Sequence, residues 1–443
     1  MRAAGSIRFV TGIWLLAVLA PAFARETAET NAADVLQYDV AVSLDFDRKT
    51  LTSTTKIYFR ARASTSEIVF SGTALTLDKA SMAGRALSFD NDESRLTIHL
   101  PRALARGERA NITVESHGSP RRGFVFDGRL AYTDYFTCDW MVCAQDDFGD
   151  KASVRLTLTF PQGMSSFGPG RHVSRTTLAD GRTSDVWSES RPYSAYLFGF
   201  VAGDFTVARE RYRNKELLYL ASGATQNELL QSFAPTAGMV RFFERKSDVD
   251  LPQLQYAQLR LPGDAAQETL SFSMIGSDFL TDMAADPQED WAIAHELAHQ
   301  WWGNAITCTD LSQFWLNEGI TVFMVAAWKE DRWGRQAYDR ELQVQRQRVA
   351  AAKAAGVDRK LTSRDAYPSL PLRRAIQYSK GALFMDRLRQ ELGDEIFWRA
   401  FRTYTRANIG KTVTSRDLQR VFEATSRRNL SPLFEEWVYD GQG

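Results

Sequence analysis

The chain has few cysteines and no excess of either charge. Three of its 443 residues are cysteine, and the absence of any Cys-x-x-Cys spacing argues against a cysteine-based zinc site. Lys and Arg total 54, and Asp and Glu also total 54. Such a balanced chain lacks the basic surface that binding to nucleic acid or to an anionic membrane requires. After residue 24, no segment approaches the ~18 uninterrupted apolar residues of a membrane-spanning helix.

The first 24 residues have the pattern of a secretory signal peptide. Arg2 and Arg8 give a positive start, residues 13–20 are apolar, and Ala22-Phe23-Ala24 fits a small-x-small cleavage site. An uncleaved anchor helix is the rival interpretation, but the apolar stretch is short for a bilayer. We therefore expect an exported protein, periplasmic or secreted, with no membrane span after cleavage.

The three cysteines leave a question of pairing. An odd number in an exported chain means that at least one thiol is unpaired or pairs between molecules. Cys138 and Cys143 are close enough in sequence to form a disulfide in an oxidising compartment, whereas Cys308 is distant from both. Spacing does not establish the geometry of a disulfide, so both the bridged and the reduced forms stay open.

Hydrophobic periodicity predicts strands in the first half of the chain. From about Val35 to Phe205, apolar and polar residues alternate in short segments bounded by Gly, Pro, Asn or Asp. This pattern is typical of antiparallel strands in an all-β domain, either a sandwich or a saddle-shaped sheet. We assign residues 25–205 to this N-terminal domain.

The period changes after about Gly223. Apolar residues then recur every three to four positions, which is typical of helices. Two possible strands, residues 254–261 and 269–275, precede the most informative helix. We predict a mostly helical domain with a small sheet over residues 206–443.

A candidate metal site lies within residues 291–304. His295 and His299 are four residues apart, so on a helix both imidazoles project from one face and can reach one ion. Glu296 can approach a metal-bound water without being a ligand. The chain has only five histidines, and two of them fall in this His-Glu-x-x-His pattern. The alternative is an ordinary helix with two solvated or core histidines.

Glu318 is the candidate third ligand. It is the nineteenth residue after His299 and is flanked by apolar side chains, so its carboxylate is expected to be buried and to need a partner. Catalytic zinc takes three protein ligands and keeps one position open. We predict one Zn²⁺ per chain, held by His295, His299 and Glu318. An exposed helical glutamate is the alternative.

This motif resembles a known family. His-Glu-x-x-His, eighteen residues, and then Glu within Trp-Leu-Asn-Glu-Gly is similar to the gluzincin-type alanyl and puromycin-sensitive zinc aminopeptidases, which also include the leukotriene-epoxide hydrolase. The resemblance covers most of the chain after residue 24 and implies a β domain followed by a thermolysin-like catalytic domain. It implies hydrolysis of peptides with a free N-terminus, with Glu296 as general base. Family members commonly carry a further helical domain. This sequence ends at Gly443, so we expect a more open cleft.

The resemblance implies three further functional residues. Tyr378 precedes Lys-Gly, as does the catalytic tyrosine that binds the oxyanion in the family. Glu268 lies in Ala265-Ala-Gln-Glu-Thr269, where the family has Gly-Ala-Met-Glu-Asn and its glutamate binds the substrate amine. Only Ala266 and Glu268 match, so side-chain specificity stays open. Asp134 is a weaker candidate for a second amine-binding residue. The alternatives are that Tyr378 is an ordinary half-buried tyrosine, that Glu268 is a solvated carboxylate and that Asp134 is only a turn residue.

Other functions remain to be weighed. An endopeptidase acting on longer chains would suit an open cleft and the altered 265–269 segment. A non-catalytic, zinc-stabilised binding module would be expected to lack Glu296 or Tyr378, yet both are present. Epoxide hydrolysis has no separate support. The sequence does not indicate the preferred N-terminal residue, the natural substrate or the oligomeric state.

Overall fold

A computed structural model describes residues 32–92 and 94–440. The predicted signal peptide, residues 1–24, lies outside these ranges. Over the ranges described, the helices lack the combination of length and apolar character that crossing a bilayer demands.

The N-terminal half is built from three β-sheets. The largest has the strand order β13-β14-β11-β1-β2-β8-β4-β5, and the smaller two have the orders β3-β7-β6 and β12-β15-β10-β9. The strands are β1 Ala33–Asp45, β2 Thr50–Ala61, β3 Thr65–Ser71, β4 Thr76–Met82, β5 Arg85–Leu87, β6 Phe89–Asn91, β7 Arg95–Leu104, β8 Arg109–Gly118, β9 Phe124–Asp127, β10 Leu130–Thr133, β11 Lys151–Phe160, β12 Ser165–Phe167, β13 Arg171–Thr177, β14 Thr183–Ser194 and β15 Val201–Gly203.

The large sheet shows the alternation that the sequence predicts. In β11 every second side chain is buried, from Ala152 to Phe160, because one face packs on the core. One pair departs from the expected antiparallel arrangement: β1 and β11 run parallel, with Gln37 opposite Ser153. Parallel neighbours need a long connection, and the chain between these two strands is long enough because it forms β2 to β10.

The second half is mostly helical and contains a five-stranded sheet. That sheet has the order β16-β17-β18-β20-β19, and β21 pairs with β22. The elements are β16 Thr206–Tyr212, β17 Lys215–Ala221, α1 Gln226–Ser232, α2 Thr236–Ser247, β18 Gln255–Leu261, β19 Ala266–Gln267, β20 Phe272–Gly276, α3 Ser277–Ala285, α4 Trp291–Ala298, β21 Thr307–Cys308, α5 Trp315–Trp333, α6 Arg335–Ala354, α7 Leu370–Arg374, α8 Gly381–Leu392, α9 Asp394–Asn408, β22 Thr412–Val413, α10 Ser415–Ser426 and α11 Ser431–Phe434.

The predicted fold class, β first and mostly helical second, is confirmed. The helical periodicity over residues 228–246 belongs to two helices, α1 and α2. Pro235 lies at the break between them. Because proline has no N–H to donate to the preceding turn, one continuous helix is disfavoured there. The domain boundary at residues 205 and 206 stays a prediction, although β16 begins at Thr206.

The structure answers the question of cysteine pairing. Cys138 and Cys143 form a disulfide in the N-terminal half. Cys308 is a buried free thiol in β21.

Candidate active site

Two imidazoles converge at the end of α4. His295 lies in the last turn of the helix and His299 is its C-cap, so their Nε2 atoms are 3.1 Å apart. The Nδ1 atom of His299 lies 3.0 Å from the Trp302 carbonyl oxygen. This geometry favours the tautomer in which Nδ1–H donates to the carbonyl and the Nε2 lone pair is free for a metal.

Gly303 allows His299 to adopt this position. Its φ is +129°, and a Cβ built there would lie 2.6 Å from Nδ1 of His299. A larger residue would therefore displace the imidazole ring. The absence of a side chain at Gly303 thus leaves room for the second histidine.

Glu318 completes the cluster from the first turn of α5. Its Oε2 lies 3.3 Å from Nε2 of both His295 and His299. Around a tetrahedral ion with bonds of 2.0–2.2 Å, neighbouring ligand atoms are about 3.3–3.6 Å apart. Oε2 has no hydrogen-bond partner and the side chain is buried. A buried acceptor without a donor, facing two imidazole nitrogens at this spacing, fits a zinc ion.

The charges within the cluster are strongly coupled. Burial raises the pKa of Glu318, but the charge of His299 and the hydrogen bonds from His295 and His299 together outweigh burial and hold the pKa well below its usual range. Burial likewise lowers the pKa of His299, but the charge of Glu318, the hydrogen bond to it and the charges of Glu268 and Glu296 together raise the pKa above its usual value. A carboxylate that stays ionised when buried is the form in which it can bind a divalent cation.

Glu296 lies next to the cluster but outside the ligand set. It is buried, and its Oε2 has no hydrogen-bond partner. Burial raises the pKa of Glu296 well above its usual value, the charge of His299 lowers it, and the charges of Glu268 and Glu318 raise it further. A carboxylate with a raised pKa beside a metal site can accept and return a proton.

Tyr378 approaches the cluster from a π-helical turn, Ala375–Lys380. Its ring stacks on that of His295 with the centroids 6.3 Å apart. Burial, followed by the charge of Glu318, raises the pKa of Tyr378 well above its usual value. The phenol therefore stays protonated and is available as a hydrogen-bond donor.

Glu268 belongs to the segment along the cluster's edge. The Asn304 side chain donates to the Glu268 carbonyl at 2.8 Å, and the Gln300 side chain donates to the Thr269 carbonyl at 3.3 Å. Burial raises the pKa of Glu268, while the charge of His299 lowers it and that of Glu318 raises it. The side chains of Gln300 and Asn304, which follow α4 in sequence, therefore fix the backbone that carries the Glu268 carboxylate.

The structure places Asp134 at the end of β10, in the N-terminal half. Burial raises the pKa of Asp134, and its charge acts on the neighbouring Tyr132 and Tyr135. The hydrogen bonds that cross to the 265–269 segment are made by Tyr135. Its hydroxyl donates to the Ala266 carbonyl, and its backbone N–H donates to Gln267 Oε1 at 3.1 Å.

Comparisons with known proteins agree with this geometry. Residues 237–437 match the Peptidase family M1 domain. Aminopeptidase 2 of Candida albicans is 22% identical over 449 residues, which cover 94% of this chain and 48% of the relative. Aminopeptidase N of Caulobacter vibrioides is 26% identical over 399 residues, 83% of this chain and 45% of the relative. Residues 237–437 therefore form a Peptidase family M1 domain.

The M1 relationship extends to three-dimensional structure. An M1 zinc metallopeptidase from Deinococcus radiodurans has a TM-score of 0.76 at 20% identity, covering 93% of this chain and 95% of that one. A mutant of the same protein, bound to a Tyr-Ser-Ala substrate, gives the same TM-score. The chain spans about half the length of the curated M1 relatives described above.

The structure brings most of the predicted M1 site residues together. His295, His299 and Glu318 form one cluster, and Glu296, Tyr378 and Glu268 interact with it electrostatically. The roles assigned to them, and to Asp134, stay predictions. Sequence reasoning missed Tyr135, whose only signal was its place beside Asp134 in a short polar turn.

Proposed function

We propose that this chain is a zinc aminopeptidase that removes the N-terminal residue from peptides. The observation that carries the proposal is the convergence of two imidazole nitrogens and a carboxylate oxygen beside the buried, unpaired carboxylate of Glu296. One ion per chain would occupy this cluster. The match to the Peptidase family M1 domain and the similarity to an M1 zinc metallopeptidase and to aminopeptidases support the zinc and the peptide substrate.

The side chains around the cluster have complementary chemical roles. When bound, zinc supplies Lewis-acid polarisation of the scissile carbonyl and acidifies a nucleophilic water. Glu296 takes the proton of that water and returns it to the leaving amine. Tyr378, protonated because its pKa is raised, donates a hydrogen bond to the developing oxyanion.

Glu268 would bind the free amino group of the substrate and so position its N-terminus in the site. Its carboxylate lies in a mostly buried position at the edge of the cluster, close enough to interact with His299 and Glu318. An ammonium group is the natural counterion for such a carboxylate, and a charge-assisted hydrogen bond fixes its position. A substrate held there by its free amine presents its first peptide bond to Glu296 and Tyr378.

We also propose that the protein works outside the cytoplasm, in the periplasm or as a secreted enzyme. The signal-like pattern of residues 1–24 and the disulfide between Cys138 and Cys143 support this location. Signal cleavage after Ala24 can be checked by N-terminal sequencing of the exported protein. An N-terminus that still contains residues 1–24 would argue against it.

The test of the function compares a peptide with its N-acetylated twin. The purified, zinc-loaded protein should release the N-terminal residue from the free peptide and leave the acetylated peptide intact. Glu296→Gln should retain zinc and lose turnover, because it alters the base and no ligand. Equal rates on the two peptides would instead support an endopeptidase. Undiminished turnover by Glu296→Gln would remove the proposed mechanism.

A further inference from the structure

Tyr196 connects the N-terminal half of the chain to the metal cluster. It lies in a short 3₁₀ turn, Ala195–Leu197, directly after β14. The Thr137 hydroxyl donates to the Tyr196 carbonyl oxygen at 3.2 Å, which anchors the backbone of this turn in the N-terminal half. The Tyr196 ring, by contrast, packs against the main hydrophobic cores of both halves. The side chain therefore leaves the half of the chain to which its backbone belongs.

The Tyr196 hydroxyl lies between two segments that carry residues of the metal cluster. The Asn317 side-chain amide donates to the hydroxyl oxygen at 3.2 Å. Because this oxygen accepts from Asn317, its O–H can donate elsewhere, and the Gly303 carbonyl oxygen lies 3.4 Å away. Gly303 leaves the room that His299 needs, and Asn317 directly precedes Glu318. One hydroxyl therefore joins the segment after His299 to the helical turn that carries Glu318.

The side-chain amide of Asn317 is held at both ends. Asn317 is buried, and the Cys308 backbone N–H donates to its Oδ1 at 3.0 Å. Since a backbone N–H can only donate, Oδ1 faces Cys308 and the NH2 group is left for Tyr196. The first turn of α5 is thus tied to β21 on one side and to the N-terminal half on the other. A shift of Glu318 away from the two histidines would strain these hydrogen bonds.

Aromatic contacts hold the Tyr196 ring independently of its hydroxyl. The ring meets that of Phe148 edge to face with the centroids 4.8 Å apart, and Phe148 stacks on Phe314 at 5.9 Å. Phe314 caps α5, and its carbonyl oxygen accepts from the Glu318 N–H at 3.1 Å. Tyr196→Phe would keep these ring contacts, because it removes only the oxygen. The contribution of the hydroxyl can therefore be measured without disturbing the packing.

The same turn contacts the segment that is predicted to bind the substrate amine. The Leu270 N–H, two residues after Glu268, donates to the Leu197 carbonyl oxygen at 2.8 Å. Burial raises the pKa of Tyr196 well above its usual value, and the charge of Glu268 raises it further. The phenol therefore stays protonated and keeps its hydrogen-bond donor.

We propose that Tyr196 is a positioning residue for the metal cluster, supplied by the N-terminal half although all three predicted ligands belong to the second half. Its hydroxyl holds the segments of His299 and Glu318 at the separation that one ion requires. Ligand atoms have to be placed to within about 0.5 Å, so the loss of a hydrogen bond at this position weakens the site. The inference rests on the proposed function for its zinc ion and leaves the reaction unchanged.

Zinc affinity provides the first test. Competition with a chelator of known affinity measures the zinc dissociation constant of the purified wild type and its variants. Tyr196→Phe should raise this constant about three- to tenfold, the range expected from one lost hydrogen bond. Equal zinc affinities of Tyr196→Phe and the wild type would overturn the proposal.

Tyr404→Phe is the matched control for the loss of a buried hydroxyl. Tyr404 lies in α9, and its hydroxyl has no hydrogen-bond partner within residues 32–92 and 94–440. The zinc affinity of this variant should equal that of the wild type. A loss as large as that of Tyr196→Phe would contradict a specific role of Tyr196.

The visible spectrum of Co²⁺ bound in place of zinc is the second measurement, because its bands respond to coordination geometry and not to overall stability. Tyr196→Phe should shift these bands, whereas Tyr404→Phe should reproduce the wild-type spectrum. If Tyr196→Phe lowers only the free energy of unfolding of the zinc-free protein, and keeps the wild-type spectrum and zinc affinity, the tyrosine only joins the two halves and the proposal fails. Neither measurement needs turnover. A wild type that binds zinc but cleaves no peptide would therefore contradict the proposed function, while the zinc affinities still decide about Tyr196.

Discussion

Gly319 and Gly381 meet backbone to backbone where α5 crosses α8. A Cβ built on Gly319 would lie 2.7 Å from the Gly381 Cα, and one built on Gly381 would lie 3.0 Å from the Gly319 Cα. Glu318 precedes the first glycine, and Tyr378 lies three residues before the second. The close crossing therefore sets the distance between the Glu318 carboxylate and the Tyr378 phenol.

Gly319→Ala should separate the two helices and damage the site. The new methyl group would meet backbone atoms of Gly381, which can move only if the whole helix moves. We therefore expect a loss of about 1–3 kcal/mol in the free energy of unfolding. Zinc affinity should fall as well, because Glu318 moves with α5. Chemical denaturation and zinc competition measure the two effects.

Gly238→Ala is the control for that substitution. Gly238 also lies inside a helix, α2, but its Cβ would make an ordinary contact, 3.4 Å from the Trp328 ring. Alanine is favoured over glycine in a helix by up to about 1 kcal/mol, so this variant should be neutral or stabilised. If both variants lose stability equally, the crossing has no special role.

Glu318→Gln should remove zinc binding with little change of shape. The amide keeps the volume of the side chain but loses the charge that pairs with His299 and the metal. A ligand present at 1,000 times its Kd adds about 4 kcal/mol of stability. The wild type should therefore show a zinc-dependent rise in Tm that Glu318→Gln lacks.

The control for this experiment is Glu395→Gln. The side chain of Glu395 is exposed at the start of α9, where it contacts Arg399 at 3.4 Å. Its zinc-dependent rise in Tm should equal that of the wild type. A full zinc shift in Glu318→Gln would contradict the assignment of the third ligand.

The clustering of His295, His299 and Glu318 can be predicted from the sequence because its signals are local. The four-residue spacing of His295 and His299 and the apolar neighbours of Glu318 depend only on helix geometry and on the cost of burying a charge. Family resemblance added Tyr378 and Glu268. The parallel pairing of β1 with β11 was not predicted, because alternation identifies a strand but not its neighbour.

Contacts between distant segments were beyond sequence reasoning. Tyr135 reaches Ala266 across 131 positions of the chain, and no periodicity encodes such a pairing. The crossing of Gly319 with Gly381 depends in the same way on the packing of two helices. These contacts become visible only when the elements have been placed in space.

Tyr135→Phe should weaken substrate binding more than it slows the reaction. The substitution removes the hydroxyl that donates to the Ala266 carbonyl, two residues from Glu268, and keeps the ring. One hydrogen bond contributes about 0.5–1.5 kcal/mol, so KM should rise roughly two- to tenfold while kcat stays close to the wild-type value. Steady-state kinetics on a free peptide measure both constants.

Tyr132→Phe is the control for the loss of a hydroxyl in this region. Tyr132 lies in β10, three residues earlier, and makes none of the contacts to the 265–269 segment described for Tyr135. Its kinetic constants should match those of the wild type. A fall in kcat alone for Tyr135→Phe would point to a role in the reaction instead of in positioning.

Asp290→Asn should stabilise the protein at alkaline pH. Asp290 is buried directly before α4; it accepts a hydrogen bond from Trp328 at 2.8 Å, and its other oxygen has no partner. Burial raises its pKa to about 7, against an ordinary value near 3.9 in the unfolded chain. Between pH ~3.9 and pH ~7, Asp290 is protonated in the folded protein and ionised in the unfolded chain. The free energy of unfolding therefore falls as the pH rises through this range.

The expected gain from Asp290→Asn therefore depends on pH. Asparagine cannot ionise and can still accept from Trp328, so the variant and the wild type should be similarly stable near pH 4. Above pH 7 the variant should be more stable by at most about 4 kcal/mol, the full cost of ionising a group whose pKa is shifted by three units. Urea denaturation at several pH values, with the exposed Asp282→Asn of α3 as control, measures this difference. A gain that is the same at every pH would show that the buried carboxylate is not the cause.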